Sequence, residues 1–225
     1  ILLAKNETGY HNLMLLDSEA FLHGFYYKPR IDYDLLEQHA EGLVCLSACL
    51  AGDIPQLLLQ NRYNDALALA DRLKRMFGGD FYIELQNHGL PEQKQVLPAL
   101  RRIAKELSLK TVATNDVHYV SADDAEAQDV LLCIQTQRYV TDVNRMRMQS
   151  DQFFLKSREE MARAFPDDPD ALDNTAEIAE KCCVDFEFAG RRLPSFTAPD
   201  GMDNAAFLRK LCEEGMRKKL PDADE

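Results

Sequence analysis

The residues best spaced for chemistry lie in Thr111–Val120, which reads Thr-Val-Ala-Thr-Asn-Asp-Val-His-Tyr-Val. Asp116 and His118 stand two positions apart, and in extended backbone such side chains point to the same side. A carboxylate and an imidazole brought together this way suit a divalent metal such as zinc, manganese or iron. The same spacing also fits a solvated loop aspartate beside a histidine packed under a neighbouring loop, and two donors do not make a site. Cys49 follows the apolar run Leu43-Val44-Cys45-Leu46-Ser47. A lone cysteine is either a small buried hydrophobe or a thiolate of use only beside a metal or cation. Lys28 and Arg30, in Phe25-Tyr26-Tyr27-Lys28-Pro29-Arg30, face a phosphate or DNA in one reading and are surface charge next to packed aromatics in the other.

These residues need elements to position them. Thr111–Thr114 is a β-branched run following a helical pattern, as a buried strand of an α/β unit reads. That places Asp116 and His118 just past a strand's C-terminal end, the edge where parallel α/β folds gather ligands. Cys49 holds the equivalent place after Leu43–Ser47. Phe81–Leu85 is another strand, with Asn87 and His88 past its end, and Ile1–Ala4 and Val184–Phe188 also read as strands. Between them the pattern is helical. Thr8 caps a helix from Gly9 to about Gly24, with Leu13, Leu16, Ala20 and Phe21 on one face. Asp32 caps a short helix ending at His39. Helices follow over Ile54–Gln60 and Asn64–Phe77, the second stopped by Gly78-Gly79. Pro91 opens a helix as its first residue, and Pro98 predicts a kink or break inside it. Ser121 starts the next helix, Ser157-Arg-Glu-Glu160 is a capping box, and Asp168-Pro169 starts another. Gln135–Leu155 is irregular. An amphipathic helix closes the chain over Asp203–Leu220, with Phe207, Leu208, Leu211, Cys212 and Met216 on one face. Strand–helix alternation of this kind predicts a parallel sheet or barrel.

Composition narrows the function classes. A formal net charge of −12 argues against a free-standing module held to DNA by phosphate contacts. No apolar run approaches the roughly 20 residues that span a bilayer. The 6 cysteines form no Cys-x-x-Cys pair, which fits a reduced, cytoplasmic protein. The sequence opens inside a strand-like run without an initiator methionine, which reads as a fragment of a longer polypeptide.

A family resemblance rests on longer motifs: Leu3-Ala-Lys-Asn-Glu-Thr-Gly-Tyr10, Gly24-Phe-Tyr-Tyr-Lys-Pro-Arg-Ile-Asp32, Glu41-Gly-Leu-Val-Cys-Leu-Ser-Ala-Cys-Leu-Ala-Gly52, Glu84-Leu-Gln86 with His88-Gly-Leu-Pro-Glu92, Ala113-Thr-Asn-Asp-Val-His118 and Asp151-Gln-Phe-Phe-Leu-Lys-Ser157. In order, these resemble the polymerase-and-histidinol-phosphatase (PHP) domain of bacterial DNA polymerase III alpha subunits. The resemblance implies a distorted (β/α)7 barrel whose first strands are missing here, with metal ions at the strand C-terminal ends. It further implies that residues 1–190 are the C-terminal two-thirds of such a domain, 191–202 a linker and 203–225 the start of a polymerase core.

Of the family's metal ligands, Cys49, Asp116 and His118 are the positions matched. A His-x-His pair, an Asp-His pair, a Glu and a further His would lie upstream of Ile1. The polymerase's own magnesium-binding aspartates would lie downstream of residue 225. Gln128 stands where relatives often carry His, Gln137-Arg138 replaces a common Gly-Lys or Gly-Arg, and His11 and His23 are at variable positions. Three functions follow from the resemblance: metal-dependent 3′→5′ proofreading within a DNA polymerase, a structural module docking the polymerase core or a separate exonuclease subunit, or an autonomous phosphoesterase. The partners implied are DNA through the full-length protein and other replicase subunits such as the sliding clamp. No membrane is implied, and the helix within residues 203–220 is expected to pack back on its own domain or to self-associate with another copy of the chain.

Overall fold

In a computed structural model of the chain, described for residues 1–186 and 194–220, the first unit, Ile1–Asp185, is organised on a 4-stranded sheet. Its strands are β1 (Leu2–Ala4), β2 (Leu43–Leu46), β3 (Phe81–Gln86) and β4 (Lys110–Thr114), side by side in that order. β1 runs antiparallel to β2, with Leu2 opposite Cys45. β2, β3 and β4 are mutually parallel, in registers that set Cys45 beside Phe81 and Tyr82 beside Lys110. This is the α/β class the sequence predicts, with a small mixed sheet at its centre.

The parallel strands are buried on both faces, so they read as continuous apolar runs. Leu43, Cys45, Phe81, Ile83 and Leu85 point into one core. There they meet α3 (Asp53–Leu59), α4 (Tyr63–Phe77) and α5 (Pro91–Glu106), through Ile54, Leu73, Leu100 and Ile103. The alternate residues Val44, Leu46, Tyr82 and Val112 pack on the other face against Ile178 of α8 (Pro169–Lys181). Each large side chain so buried contributes roughly 1.5–3 kcal/mol. The α3–α4 pair carries the chain from β2 to β3 and α5 carries it from β3 to β4, so the three strands end on one common edge.

The local signals mostly act where they are written. Asp32 accepts from the Leu35 N–H at 2.8 Å and caps α2 (Tyr33–Gln38), with His39 as its C-cap. Ser157 and Glu160 close a reciprocal capping box on α7 (Arg158–Ala164). Gly78 ends α4 with φ 56°. Ser121 caps a single 3-10 turn that leads into α6 (Ala125–Thr136).

Three expectations are corrected. Helix α1 (Glu7–Leu22) is capped by Asn6, not Thr8; the Asn6 carboxamide accepts from Gly9 N–H at 3.0 Å. The neighbouring turn at Gly42 (φ 74°) presses so close that a Cβ there would lie 2.5 Å from the Asn6 side-chain oxygen, which favours glycine. Second, α5 runs unbroken through Pro98. Pro98 is exposed, so the carbonyl it leaves unbonded faces the solvent side and water can take it. Third, Val184–Phe186 form no strand; the Cys183 N–H bonds to Lys5 O at 2.8 Å, and the remainder of that expected strand, Glu187 and Phe188, lies outside the described residues.

The second unit, Phe186–Glu225, contains α9 (Asn204–Lys219), capped by Asp203. Asn204 ties its start to the preceding loop, accepting from Ala198 N–H and donating to Phe196 O, both at 2.9 Å. Phe196 stacks on Phe207 at 5.9 Å. Leu208, Leu211 and Met216 of the expected apolar face are exposed.

Candidate metal-binding edge

The loop leaving β4 brings the Asp116 Oδ1 and His118 Nε2 atoms to 3.4 Å, with both side chains roughly half exposed. The expected convergence of residues two apart is therefore present. Backbone bonds to a distant segment hold it: His118 N–H donates to Phe153 O at 2.8 Å, and Leu155 N–H donates to Tyr119 O at 3.1 Å. The Asn115 carboxamide donates to Phe154 O at 2.7 Å. The buried Phe153 ring then lies between two histidines. His118 meets it edge-on at 5.6 Å and His88 stacks flat on it at 4.4 Å.

Cys49 lies on the same edge but turns elsewhere. The loop after β2 is wound tightly: Ala48 has φ 66°, and Gly52 N–H bonds back to Cys49 O at 2.8 Å. A Cβ at Gly52 would come within 2.5 Å of Ser47 O. A left-handed alanine of this kind is strained and persists only where its surroundings fix it. Cys49 thereby opens on a small cavity shared with Glu84, Gln86 and Gln93. Among the described residues, no three His, Cys, Asp or Glu side chains come together to hold a metal ion. Asp116 and His118 are thus brought together as a pair, while Cys49 is not joined to them. Lys28 and Arg30 are exposed in the loop between α1 and α2, where the Arg30 guanidinium covers the Tyr26 ring at 4.8 Å.

Three further polar residues on this edge escaped the reading of the sequence as site components. Glu84, on β3, is buried; its Oε1 accepts from Thr114 Oγ1 at 2.6 Å and from Gln86 at 3.1 Å, while its Oε2 has no hydrogen-bond partner. His88 is 1% exposed. Its backbone N–H donates to Gln93 Oε1 at 2.7 Å, and Gln93 Nε2 lies 2.9 Å from its Nδ1. Burial, followed by the Lys156 ammonium, pushes the His88 imidazole below its ordinary pKa, opposed by Asp116 and Asn115. A signal for this was available: Pro91 at the first helical position makes Gln93 the third residue of α5, where a Gln side chain reaches back over the chain entering the helix.

Comparison with known proteins agrees with this architecture. The family model for the PHP domain matches residues 1–88. The DNA polymerase III alpha subunit of Treponema pallidum is 48% identical over 96% of this chain and 19% of its own length. That of Borreliella burgdorferi is 47% identical over 96% of the chain and 19% of its length, and that of Thermus aquaticus is 46% identical over 98% and 19%. The chain therefore spans about a fifth of the length of the curated relatives it matches. Among the described residues no helix is long and apolar enough to cross a membrane. Residues 1–88 match the PHP domain family model, within a chain similar along nearly its whole length to part of bacterial DNA polymerase III alpha subunits.

Proposed function

We propose that this chain is part of a replicative DNA-directed DNA polymerase, in which its PHP portion supplies donors to a divalent-metal site for 3′→5′ removal of mispaired primer ends. The observation that carries this reading is the Asp116–His118 pair, 3.4 Å apart at the end of a parallel strand. Carboxylate and imidazole are the donors zinc, manganese or iron take, and a thiolate at Cys49 would add a third. A divalent ion at such a site supplies Lewis acidity toward a phosphodiester oxygen. The chain's own residues contribute two unlike donors and a backbone clamp, His118 N–H on Phe153 O, that fixes one of them. They do not complete a site, so further donors are required. Polymerisation, with its magnesium ions, belongs in this reading to other parts of the subunit, and DNA and the sliding clamp are partners of the whole assembly.

In the intact subunit, Asp116→Ala and His118→Ala should lower metal affinity by at least about 10–100-fold, the range seen when mere outer partners of a ligand are lost. Degradation of a mismatched primer end should fall with it while primer extension persists. Wild-type degradation in both variants would sink the assignment. A second reading, a PHP module that docks the polymerase core or an exonuclease subunit without chemistry, is favoured by one observation: Cys49 opens on the Glu84 and Gln93 side of the edge. Retained replicase assembly with no loss of proofreading in all three variants, Cys49→Ser included, would select it. The exposed Leu208, Leu211 and Met216 of α9 support self-association through residues 203–220; light scattering with and without residues 203–225 decides it.

A further inference from the structure

Two hydrogen bonds fix the protonation of a buried histidine. Gln93 accepts the His88 backbone N–H through Oε1, so the other end of its amide, Nε2, is the donor to His88 Nδ1 at 2.9 Å. With Nδ1 occupied as an acceptor, the neutral ring carries its proton on Nε2. That N–H is buried and meets no partner at hydrogen-bond geometry. The Lys156 ammonium, the Asp116 carboxylate and the Asn115 carboxamide all act on the His88 imidazole, and of these three only the Asn115 and Asp116 side chains carry an oxygen able to accept its proton. Asn115 already spends its own N–H on Phe154 O at 2.7 Å, which leaves its side-chain oxygen as the end able to accept. A buried donor without a partner costs enough that such groups are rare in folded proteins.

We infer that Gln93, His88 and Asn115 form a relay that positions the Asp116–His118 pair, His88 donating through Nε2 to the Asn115 side-chain oxygen. The relay connects both sides of the edge: Gln93 lines the cavity on which Cys49 opens, and Asn115 directly precedes Asp116. The flat stack of His88 on Phe153 and the edge contact of Phe153 with His118 make a second link to the same pair. The assignment also says what His88 is not. A metal on Nε2 would need the proton on Nδ1, where it would point at the N–H of Gln93, so His88 is a positioning residue and not a further ligand. The role of the positioned pair rests on the proposed metal reading; the relay itself does not.

The test uses the full chain, labelled with nitrogen-15 and free of metal. Long-range proton–nitrogen correlation spectra at neutral pH should show His88 protonated at Nε2 alone; protonation at Nδ1, or a mixture, overturns the relay. His88→Phe keeps a ring against Phe153 and removes the donor. The His118 amide proton, bound to Phe153 O, should then exchange about tenfold faster, with exchange at Ile83 in the core unchanged as a check on folding. Unaltered exchange at His118 overturns the positioning role. Should His88→Phe fail to fold, Gln93→Met serves instead; a mixed His88 tautomer with faster His118 exchange is expected, and a His88 still protonated at Nε2 alone counts against Gln93 as its anchor. Manganese added to wild type should broaden the His118 ring signals, and Asp116→Ala should abolish that broadening without moving the His88 tautomer. Absent broadening with an intact relay tells against the metal reading alone, whereas broadening with a disordered tautomer tells against the relay alone.

Discussion

Where β3 and β4 begin, Asp80, Tyr82, Glu177, Lys5, Lys110 and Lys181 form a closed network. The Lys5 ammonium pairs with Asp80, and Lys181 reaches Asp80 at 3.1 Å and the Tyr82 hydroxyl at 2.7 Å. Tyr82 donates to Glu177 at 2.8 Å, and Lys110 meets the other Glu177 oxygen at 2.5 Å. Where the same strands end, Glu84 keeps one buried oxygen without a partner, the buried His88 Nε2 has the Asn115 carboxamide to turn to, and Asp116 and His118 face solvent side by side. One end of the sheet satisfies its charges and the other leaves them unspent. In α/β barrels the first kind of end serves stability and the second chemistry, and local stability is commonly given up where a site must receive a ligand.

The largest effect is expected from opening the closed end. Asp80→Ala removes the carboxylate that two ammonium groups share, leaving Lys5 without its ion pair and Lys181 with Tyr82 and Glu177 alone, and burial of Asp80 is outweighed by the lysine contacts that hold its carboxyl below the ordinary range. A loss of about 1–3 kcal/mol should follow, the lower part of that range reflecting partial exposure. Denaturant midpoints at constant m would measure it; a loss no larger than that of an isolated surface aspartate would mean the network is ornamental.

Acid should break the same end next. Hydrogen bonds from Lys110 and then Tyr82 hold Glu177 at about 2, against 4.5 when unperturbed. A carboxyl whose folded pKa is depressed contributes stability that is present above the unfolded value and is lost as pH falls through the folded one. The contribution should therefore be complete above pH 4.5 and fade toward pH 2. Lys110→Met should shrink that slope in an acid-unfolding series, and an unchanged slope would place the acid sensitivity elsewhere.

The comparison also explains what could be read in advance. Strands β2, β3 and β4, the Asp32 cap, the Ser157 box and the convergence of Asp116 with His118 are written in neighbouring residues, because short apolar runs, caps and the two-residue repeat of extended backbone all act over a few positions. Asn6 as the α1 cap depends on Gly42 across the sheet, and the unbroken α5 depends on Pro98 facing water. The His88 tautomer and the Glu84 orphan are consequences of packing among segments far apart in sequence, and Cys49 shows the limit of equivalence: its place after β2 matches that of Asp116 after β4, yet the strained Ala48 turn aims it at another cavity.

The smallest expected effect sharpens the contrast most, because its sign is opposite. Glu84 is 5% exposed, and only Oε1 of its carboxylate is hydrogen-bonded. A buried anion with one bare oxygen carries a desolvation cost that its bonds from Thr114 and Gln86 offset in part. Glu84→Gln keeps the shape and the accepting oxygen, removes the charge, and places an amide N–H2 at the bare position, a buried neutral donor that costs less than a buried charge. It should stabilise the metal-free chain by about 1 kcal/mol, which for a chain of this length raises Tm by roughly 2–4 °C. The equivalent change at the closed end, Asp80→Asn, should lower Tm, since both of its carboxylate oxygens already have ammonium partners. If Glu84→Gln lowered Tm as well, the bare oxygen would have to be satisfied in solution by a bound water or cation, and the two ends of the sheet would no longer differ in kind.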